Sequence, residues 1–300
     1  MKNILISGGT GFIGSRLINH LLATFPDVQI TVLVRDESDS KSQPRVRYCK
    51  WDVKSSFISS DVPTDIDTII HLAGANIAAK RWTKQRKKVL LESRTESTKL
   101  LTQWVNNMGK NVKTFVSASA IGWYGSASGE RSFIETDPAA NDFLAHVCAE
   151  WEAATQSLSA SKVRIVWIRT GLVLHPDGGM WKAMRKAFAF RVAPCFGHGK
   201  QVFSWISLED LLRLYTFVAV TPTLAGAFNA VAPKPEGQAM LTKKLLKKKS
   251  TFAIQIPIPA SLLKIGLGEL SQELLKHAPV SSRKVEDAGF SFLNPTLDHL

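Results

Sequence analysis

The sequence predicts an α/β fold: a doubly wound parallel sheet with a smaller C-terminal α/β region beside it. Three observations lead there. Short Val/Ile-rich runs alternate with helical patterns through the first half of the chain. A glycine-rich turn joins the first run to the first helix. Beyond about residue 171 the alternation loosens into Gly- and Pro-rich segments. Unbroken apolar runs suit strands buried on both faces, and strand–helix alternation builds βαβ units.

NILIS (3–7) reads as the first strand and FIGSRLINHLLA (12–23) as the first helix. ITVLV (30–34), VRYCK (46–50) and DTIIHLA (67–73) read as the next three strands. A long helix around 84–106 precedes the strand VKTFVSA (112–118), and a helix over 142–158 precedes VRIVWIR (163–169). Later, GLVLHPDGGMW, APCFGHGKQ and VAPKPEG read as loops. Between them the spacing predicts a helix at 181–190, a strand QVFSWI (201–206), a helix over 208–219 and a strand GAFNAV (226–231). The tail from 238 reads as helix, strand (FAIQI), a helix over 260–276 and a short helix around 281–288. The expected division is a domain over 1–232, with its core in 1–170, and a C-terminal domain over 238–292.

A chain of 300 residues, 45% hydrophobic and 21% charged, can bury a globular core. No apolar run approaches the roughly 20 residues that span a bilayer, so no membrane role is expected. MKNILISGGTG ends its apolar run in glycines without a small-residue cleavage site, and reads as a strand rather than a signal peptide. Cys49, Cys148 and Cys195 are odd in number and far apart, which argues against a disulfide framework and a Cys-based zinc site. No metal is expected, and a reducing cytoplasm is the expected setting. The net charge of +13 attracts phosphates in general and concentrates in KRWTKQRKK (80–88) and KKLLKKK (243–249). Neither run comes with zinc-finger spacing or an RNP-like aromatic motif. Both read as solvated helix faces, and nucleic acid is not an expected partner.

SGGTGFIGSRL places Gly8, Gly11 and Gly14 after a strand and at the start of a helix. Gly8 permits the tight turn, Gly11 lets a pyrophosphate approach the backbone, and Gly14 lets helix and strand pack closely. The helix starting near Phe12 offers free N–H groups to phosphate. This is the dinucleotide site of a Rossmann-type sheet. At the end of the second strand, Arg35 falls where NAD-selective sites place an acid, which favours NADP(H) over NAD(H). The alternative is a surface Arg35, with Asp36 reaching the ribose. Asp52 follows the third strand, where a polar group can meet the adenine, and Leu72, Ala73 and Gly74 end the fourth against the cofactor.

With these residues the sequence resembles the extended short-chain dehydrogenase/reductases over about residues 1–231. GGTGFIG, HLAG, SASAIGWYG (117–125) and WISLEDL (205–211) carry the resemblance. More narrowly it resembles the atypical branch known as epimerase family proteins, through RWT (81–83), ESR (92–94), FLAHVCAEWE (143–152), RTGLVLHPDGG (169–179) and SWI (204–206). The tail ending KVEDAGF (284–290) resembles that branch's C-terminal domain of unknown function, part of the substrate lobe. The resemblance implies cofactor contacts at Gly8, Thr10, Gly11, Phe12, Ile13, Gly14, Val34, Arg35, Leu72, Ala73 and Gly74. It also implies Arg94 near the phosphates or ribose and Val173 at the nicotinamide. Relatives often dimerise through helices at the sheet edge, so a homodimer is possible.

A typical member of this family uses Ser/Thr, Tyr and Lys for acid–base work beside the hydride carrier. Here those positions fall on Ala120, Leu144 and Cys148, and no Tyr-x-x-x-Lys occurs in 135–165. At about 100° per residue, Leu144, Val147, Cys148 and Trp151 share one helix face, and His146 and Glu150 lie roughly opposite. Proton-transfer candidates are therefore Ser119, one residue from the vacant Ser/Thr position, Tyr124 at the pocket rim, and His198. His198 lies in the loop GHGKQVFSW with Lys200, Gln201 and Trp205. Arg81 and Trp82 could line the pocket mouth, and the turn Asp177–Gly179 could gate it. The expected function is an NADP(H)-binding oxidoreductase or epimerase-like enzyme acting on an unknown small molecule. The alternative is a non-enzymatic NADP(H)-binding redox sensor or regulatory protein.

Overall fold

The computed structural model describes residues 1–36, 43–129, 131–158, 161–248 and 253–300. The chain first runs β1 (Asn3–Ser7), α1 (Phe12–Thr24), β2 (Gln29–Val34), β3 (Val46–Asp52), β4 (Phe57–Ile58) and β5 (Thr68–His71). It continues α2 (Lys84–Asn107), β6 (Thr114–Ala120), a 3-10 turn at Ile121–Tyr124, α3 (Phe143–Ala153), β7 (Arg164–Thr170), β8 (Leu172–Leu174) and α4 (Gly179–Ala189). Then come β9 (Val192–Phe196), β10 (Val202–Phe203), β11 (Trp205–Ser207), α5 (Leu208–Val220), β12 (Gly226–Ala230) and β13 (Glu236–Gly237). The last elements are α6 (Gln238–Lys248), β14 (Ile254–Ile258), α7 (Ala260–Leu267), α8 (Leu270–Leu275) and α9 (Arg283–Asp287).

The main sheet has the order β12-β7-β6-β5-β1-β2-β3-β4 and is parallel except for β4 against β3. Strand order reverses between β1 and β5, and the crevice outside their carboxyl ends is where such sheets bind ligands. β1 and β5 are apolar because helices cover both faces. On one side α1 packs Leu17, Ile18 and Leu21, and α5 packs Leu211, Leu214 and Val218. On the other, Leu100, Leu101 and Val105 of α2 meet Leu5, Ile69 and Phe115. Each such buried side chain contributes about 1.5–3 kcal/mol relative to exposure.

A separate apolar cluster holds the C-terminal lobe, with Trp181, Met184 and Phe188 of α4 against Trp205, Leu241 and Leu245. Several predicted elements differ here. APCFGHGKQ, read as a loop, contains β9, paired in parallel with β14. Its other edge is met by a buried amide: Gln238 Oε1 accepts from Phe196 N at 2.9 Å and Gln238 Nε2 donates to Pro194 O at 3.0 Å. QVFSWI is two strands, β10 paired with β13 and β11 with β8, so GLVLHPDGGMW and VAPKPEG also carry short strands. The break falls at Ser204, whose hydroxyl donates to Ala278 O and accepts from Val280 N, both at 2.8 Å. The helix expected over 260–276 is α7 and α8, broken at Gly268, where φ is +63°. Of the predicted strand FAIQI, Phe252 lies outside the described residues, as does Lys249 of the lysine run. The run's described part follows α6, which turns Leu241, Leu245 and Leu246 inward and leaves Lys243 and Lys247 exposed.

Candidate functional site

The glycine turn is built from contacts that exclude side chains. Gly8 has φ +73°, and a Cβ there would sit 2.8 Å from Ala73 N. A Cβ on Gly14 would sit 2.3 Å from Gly8 O, so only glycine lets α1 meet the turn. Gly11 N donates to Gly8 O at 3.0 Å and Gly11 caps α1 without a side-chain hydrogen bond or an acid in the first turn. The N–H groups at Phe12 and Ile13 therefore open a positive helix end that suits a diphosphate. Thr10 is exposed beside them.

Leu72, Ala73 and Gly74 follow β5 directly, and Leu72 N donates to Ser7 O at 3.0 Å, which lays this segment along the turn. Beneath it His71 is fully buried, with Nδ1 2.6 Å from Ser7 Oγ and Nε2 3.3 Å from Ser97 Oγ. Burial, helped by the nearby Arg94 charge, pushes the His71 pKa down to about 3, so the ring is neutral.

Arg94 comes from α2 to the crevice. A Cβ on Gly74 would lie 3.2 Å from its Cζ, and the guanidinium sits 5.0 Å from the Trp151 ring centroid. Its guanidinium donates to Leu90 O at 2.9 Å, and among the described residues no carboxylate pairs with it. Burial lowers its pKa, a shift that the nearby Cys148 thiol opposes and the Arg86 charge reinforces. Val34 is buried at the end of β2, with Arg35 exposed just after it. Asp52 is tied to its own turn. Its carboxylate accepts from Lys54 N at 3.0 Å and Ser55 Oγ at 2.8 Å, which closes its own turn and lowers its pKa. Val173 lies in β8, in register with Ile206.

On α3, Asp142 caps the helix by accepting from Leu144 N and Ala145 N at 3.0 and 3.1 Å. Leu144, Cys148, Trp151 and Glu152 are buried, whereas His146 and Glu150 are exposed. Cys148 Sγ donates to Ala120 O at 3.6 Å, and burial pushes its thiol up to about 12. A Cβ on Gly122 would lie 3.2 Å from Leu144 Cβ. Ala120, Leu144 and Cys148 thus cluster as an apolar wall.

Ser119 and Tyr124 lead elsewhere. Ser119 Oγ donates to Glu152 Oε1 at 2.6 Å, and Arg169 clamps the same carboxylate with Nε and Nη2, both at 2.9 Å. Arg169 Nη1 donates to the Tyr124 hydroxyl at 3.0 Å, and that hydroxyl donates to Asn229 Oδ1 at 2.7 Å. Burial raises the Tyr124 phenol to about 12. Ser119 and Arg169 are register partners on β6 and β7, so their side chains share a sheet face, while the next residue, Ala120, points to the other.

His198 is exposed on the β9–β10 turn, and its Nδ1 accepts from Lys200 N at 3.0 Å. Gln201 and Trp205 of the same segment are buried. Arg81 lies against Gly268, and Trp82 is buried with its Nε1 donating to Ile77 O at 2.8 Å. The 175–179 turn covers the glycine loop. Gly178 presses flat on the Phe12 ring, and Asp177 lies 3.8 Å from Arg16 and 3.5 Å from Arg185. No group of metal-ligating side chains occurs among the described residues, and no helix among them is long and apolar enough to cross a membrane.

The sequence reading did not single out Glu152, Arg169 or Asn229. The signal was present: Arg169 follows the apolar run Ile165–Ile168 within β7, and Glu152 lies four residues beyond Cys148 on the inward face of α3.

The chain is similar to known proteins along its length. It is 34% identical over 295 residues to an epimerase family protein of Mycobacterium bovis, covering 98% of this chain and 94% of the relative. It is 33% identical over 296 residues to one of Staphylococcus haemolyticus, covering 97% and 95%. Human epimerase family protein SDR39U1 (isoform 2), solved with NADPH, superposes with a TM-score of 0.87 at 28% identity over 99% of this chain and 97% of that one. A nucleoside-diphosphate sugar epimerase from Corynebacterium glutamicum superposes with a TM-score of 0.77 at 29% identity, over 99% of this chain and 56% of that one. The model of a domain of unknown function, DUF1731, matches residues 258–299. The model of the NAD dependent epimerase/dehydratase family matches residues 4–230, and the chain belongs to that family, within the extended short-chain dehydrogenase/reductases.

Proposed function

We propose that this protein is an NADP(H)-dependent oxidoreductase or epimerase-like enzyme for a small molecule, working without the Tyr-x-x-x-Lys pair of its family. The observation that carries the reading is Arg94. A largely buried guanidinium without a carboxylate partner is costly unless a ligand meets it. It stands beside Gly74, on the crevice that the glycine turn opens, where a dinucleotide's ribose or phosphate would supply the partner. The bare α1 N-terminus suits the diphosphate, and Arg35 suits a ribose 2′-phosphate. The bound cofactor supplies the hydride. Leu144, Cys148 and Val173 exclude water at its nicotinamide end. With Ser119 and Tyr124 held in a buried network, proton exchange falls to the 197–201 turn, where the His198 ring can hold a proton on Nε2.

Tryptophan fluorescence during NADPH and NADH titrations tests this. Arg35→Ala should weaken NADPH by about tenfold or more and leave NADH unchanged, as loss of one charge-assisted contact implies. Arg94→Gln should weaken both cofactors alike. Tighter NADH than NADPH binding by the unaltered protein refutes the preference, and no binding of either refutes the function. The engagement of the Ser119 and Tyr124 hydroxyls in a buried network favours a second reading, a redox sensor. Tight NADPH binding with no NADPH consumption against carbonyl compounds and quinones would select it.

A further inference from the structure

The positive charge of the chain is unevenly placed. Residues 178–208 and 237–268 together contain 11 of the 38 Lys and Arg residues and none of the 25 Asp and Glu, which leaves 27 against 25 for the rest of the chain. The fold brings these two acid-free segments together, because β9 pairs with β14 and both α4 and α6 pack on β9. Most of the net charge of +13 therefore sits in one lobe. Lys182, Arg191, Lys243, Lys247 and Lys264 are exposed and meet no carboxylate among the described residues. Lys244 and Arg185, in contrast, are held by acids from elsewhere, Lys244 by Glu236 and Asp298 and Arg185 by Asp177.

The same segments expose large apolar side chains. Ile254 and Ile256 of β14 are exposed, on the strand face opposite Gln255, whose Nε2 donates to Ala239 O of α6 at 3.0 Å. Ile254 N donates to Arg191 O at 2.9 Å, so the turn at Phe190 and Arg191 lies beside the start of this strand. Arg191 takes φ +57°, a conformation that favours glycine, and Phe190 next to it is 82% exposed. After β14, α7 exposes Leu262 and Ile265, three residues apart and so on one helix face.

We infer that this lobe docks on an anionic phospholipid surface, with Phe190, Ile254 and Ile256 entering the headgroup boundary and the unpaired cations meeting lipid phosphates. A spanning segment is not needed, because interfacial binding combines buried apolar area with attraction of Lys and Arg to anionic lipid. Two other occupants fit less well. A second copy of the chain would set the same cations against each other across a two-fold interface. Strand addition to β14 is also disfavoured: Ile254 and Ile258 turn their backbone groups to β9, so Gln255 and Pro257 face outward, and Pro257 has no N–H to donate. A nucleic acid would use the cations and leave the exposed isoleucines unused. The docking is independent of the chemistry at the cofactor crevice.

The test sediments the full-length protein with vesicles of phosphatidylcholine alone and of phosphatidylcholine with one-third phosphatidylglycerol. Binding to the anionic vesicles should be at least about tenfold stronger, and added salt should release the protein. Lys243→Glu with Lys247→Glu should weaken that binding at least about twentyfold, at roughly fivefold per charge removed. Phe190→Ser, an exposed change, should weaken it about tenfold at unchanged Tm. Lys80→Glu with Lys84→Glu reverses the same charge in the other basic run and should cost no more than about twofold. The inference is overturned if neutral vesicles bind as well as anionic ones, or if Phe190→Ser changes nothing. It is also overturned if the Lys80 and Lys84 changes matter as much as those at Lys243 and Lys247, since net charge alone would then explain the binding. Single-stranded RNA that binds more tightly than the anionic vesicles, with no loss in Phe190→Ser, would assign the surface to nucleic acid instead.

Discussion

Replacing Glu152 with alanine tests whether the buried polar network is architecture. Glu152 and Arg169 are 6% and 3% exposed, and three donors converge on the carboxylate: Arg169 Nε and Nη2 at 2.9 Å and Ser119 Oγ at 2.6 Å. Without it the guanidinium keeps only the Glu135 carbonyl and the Tyr124 hydroxyl as acceptors, plus the face of Trp123 at 3.7 Å. Removing one partner of a buried pair costs about 3–5 kcal/mol, because the remaining charge stays desolvated. Ser119→Ala, which removes one hydrogen bond, should cost only about 0.5–1.5 kcal/mol. In urea the midpoint should fall while the slope holds. Near the midpoint of thermal unfolding, about 4 kcal/mol lowers Tm by on the order of 10 °C in a chain of this size. A Glu152→Ala loss below about 1 kcal/mol would show that the pair is not desolvated as the geometry implies. Ser119→Ala abolishing turnover at full stability would return Ser119 to the chemistry and refute the architectural reading.

Two other perturbations test the crevice. Gly178→Ala places a methyl 2.0 Å from the Phe12 ring, so the ring must swing away from the α1 N-terminus. NADPH affinity by fluorescence titration should fall at least about threefold with little change in Tm, and an unchanged Kd would show that this turn does not shape the cofactor loop. His71 predicts a pH dependence, because its folded pKa of about 3 lies below the ordinary value. The unfolded chain takes up a proton below about pH 6.5 that the folded protein refuses, so the stability linked to this group falls as pH drops from there toward 3. At about 1.4 kcal/mol per unit, roughly 2 kcal/mol is lost by pH 5. His20 and His175 act in the same direction, more weakly, being only partly buried. A His71 ring resonance that titrates near pH 6 would contradict this.

The parallel core was legible because its signals are local: an apolar run, a glycine turn, then an amphipathic helix. The same locality exposed Gly8 and Gly14, whose missing Cβ atoms the turn requires. The face assignment on α3 also needed only the helical period. The C-terminal lobe resisted because its strands depend on distant partners. β9 contains Pro194 and precedes two glycines, yet it holds because β14 pairs one edge and the Gln238 amide satisfies the other from 42 and 44 residues away. The partners of Ser119 and Tyr124 were hidden for the same reason. Ser119 meets Glu152 across 33 residues and Tyr124 meets Asn229 across 105, separations that no window of sequence reports.

The destination of those hydroxyls links the sheet to the C-terminal segment. Asn229 N donates to Glu135 Oε1 at 2.9 Å and Asn229 Nδ2 to Ser281 O at 3.1 Å. Phe133 N donates to Pro279 O, also at 2.9 Å, and the Phe133 ring stacks on Tyr124 at 5.2 Å. Ser119, Glu152, Arg169, Tyr124 and Asn229 therefore form one chain of contacts, from the centre of the sheet to the segment that carries the C-terminal lobe. A phenol donating to a buried amide and accepting from a guanidinium is held in place, and its pKa of about 12 disfavours proton exchange near neutrality. Ser119 and Tyr124 thus help hold the lobe to the core. In the proposed function the acid–base group then comes from the lobe itself, where the 197–201 turn and His277 line an open cavity.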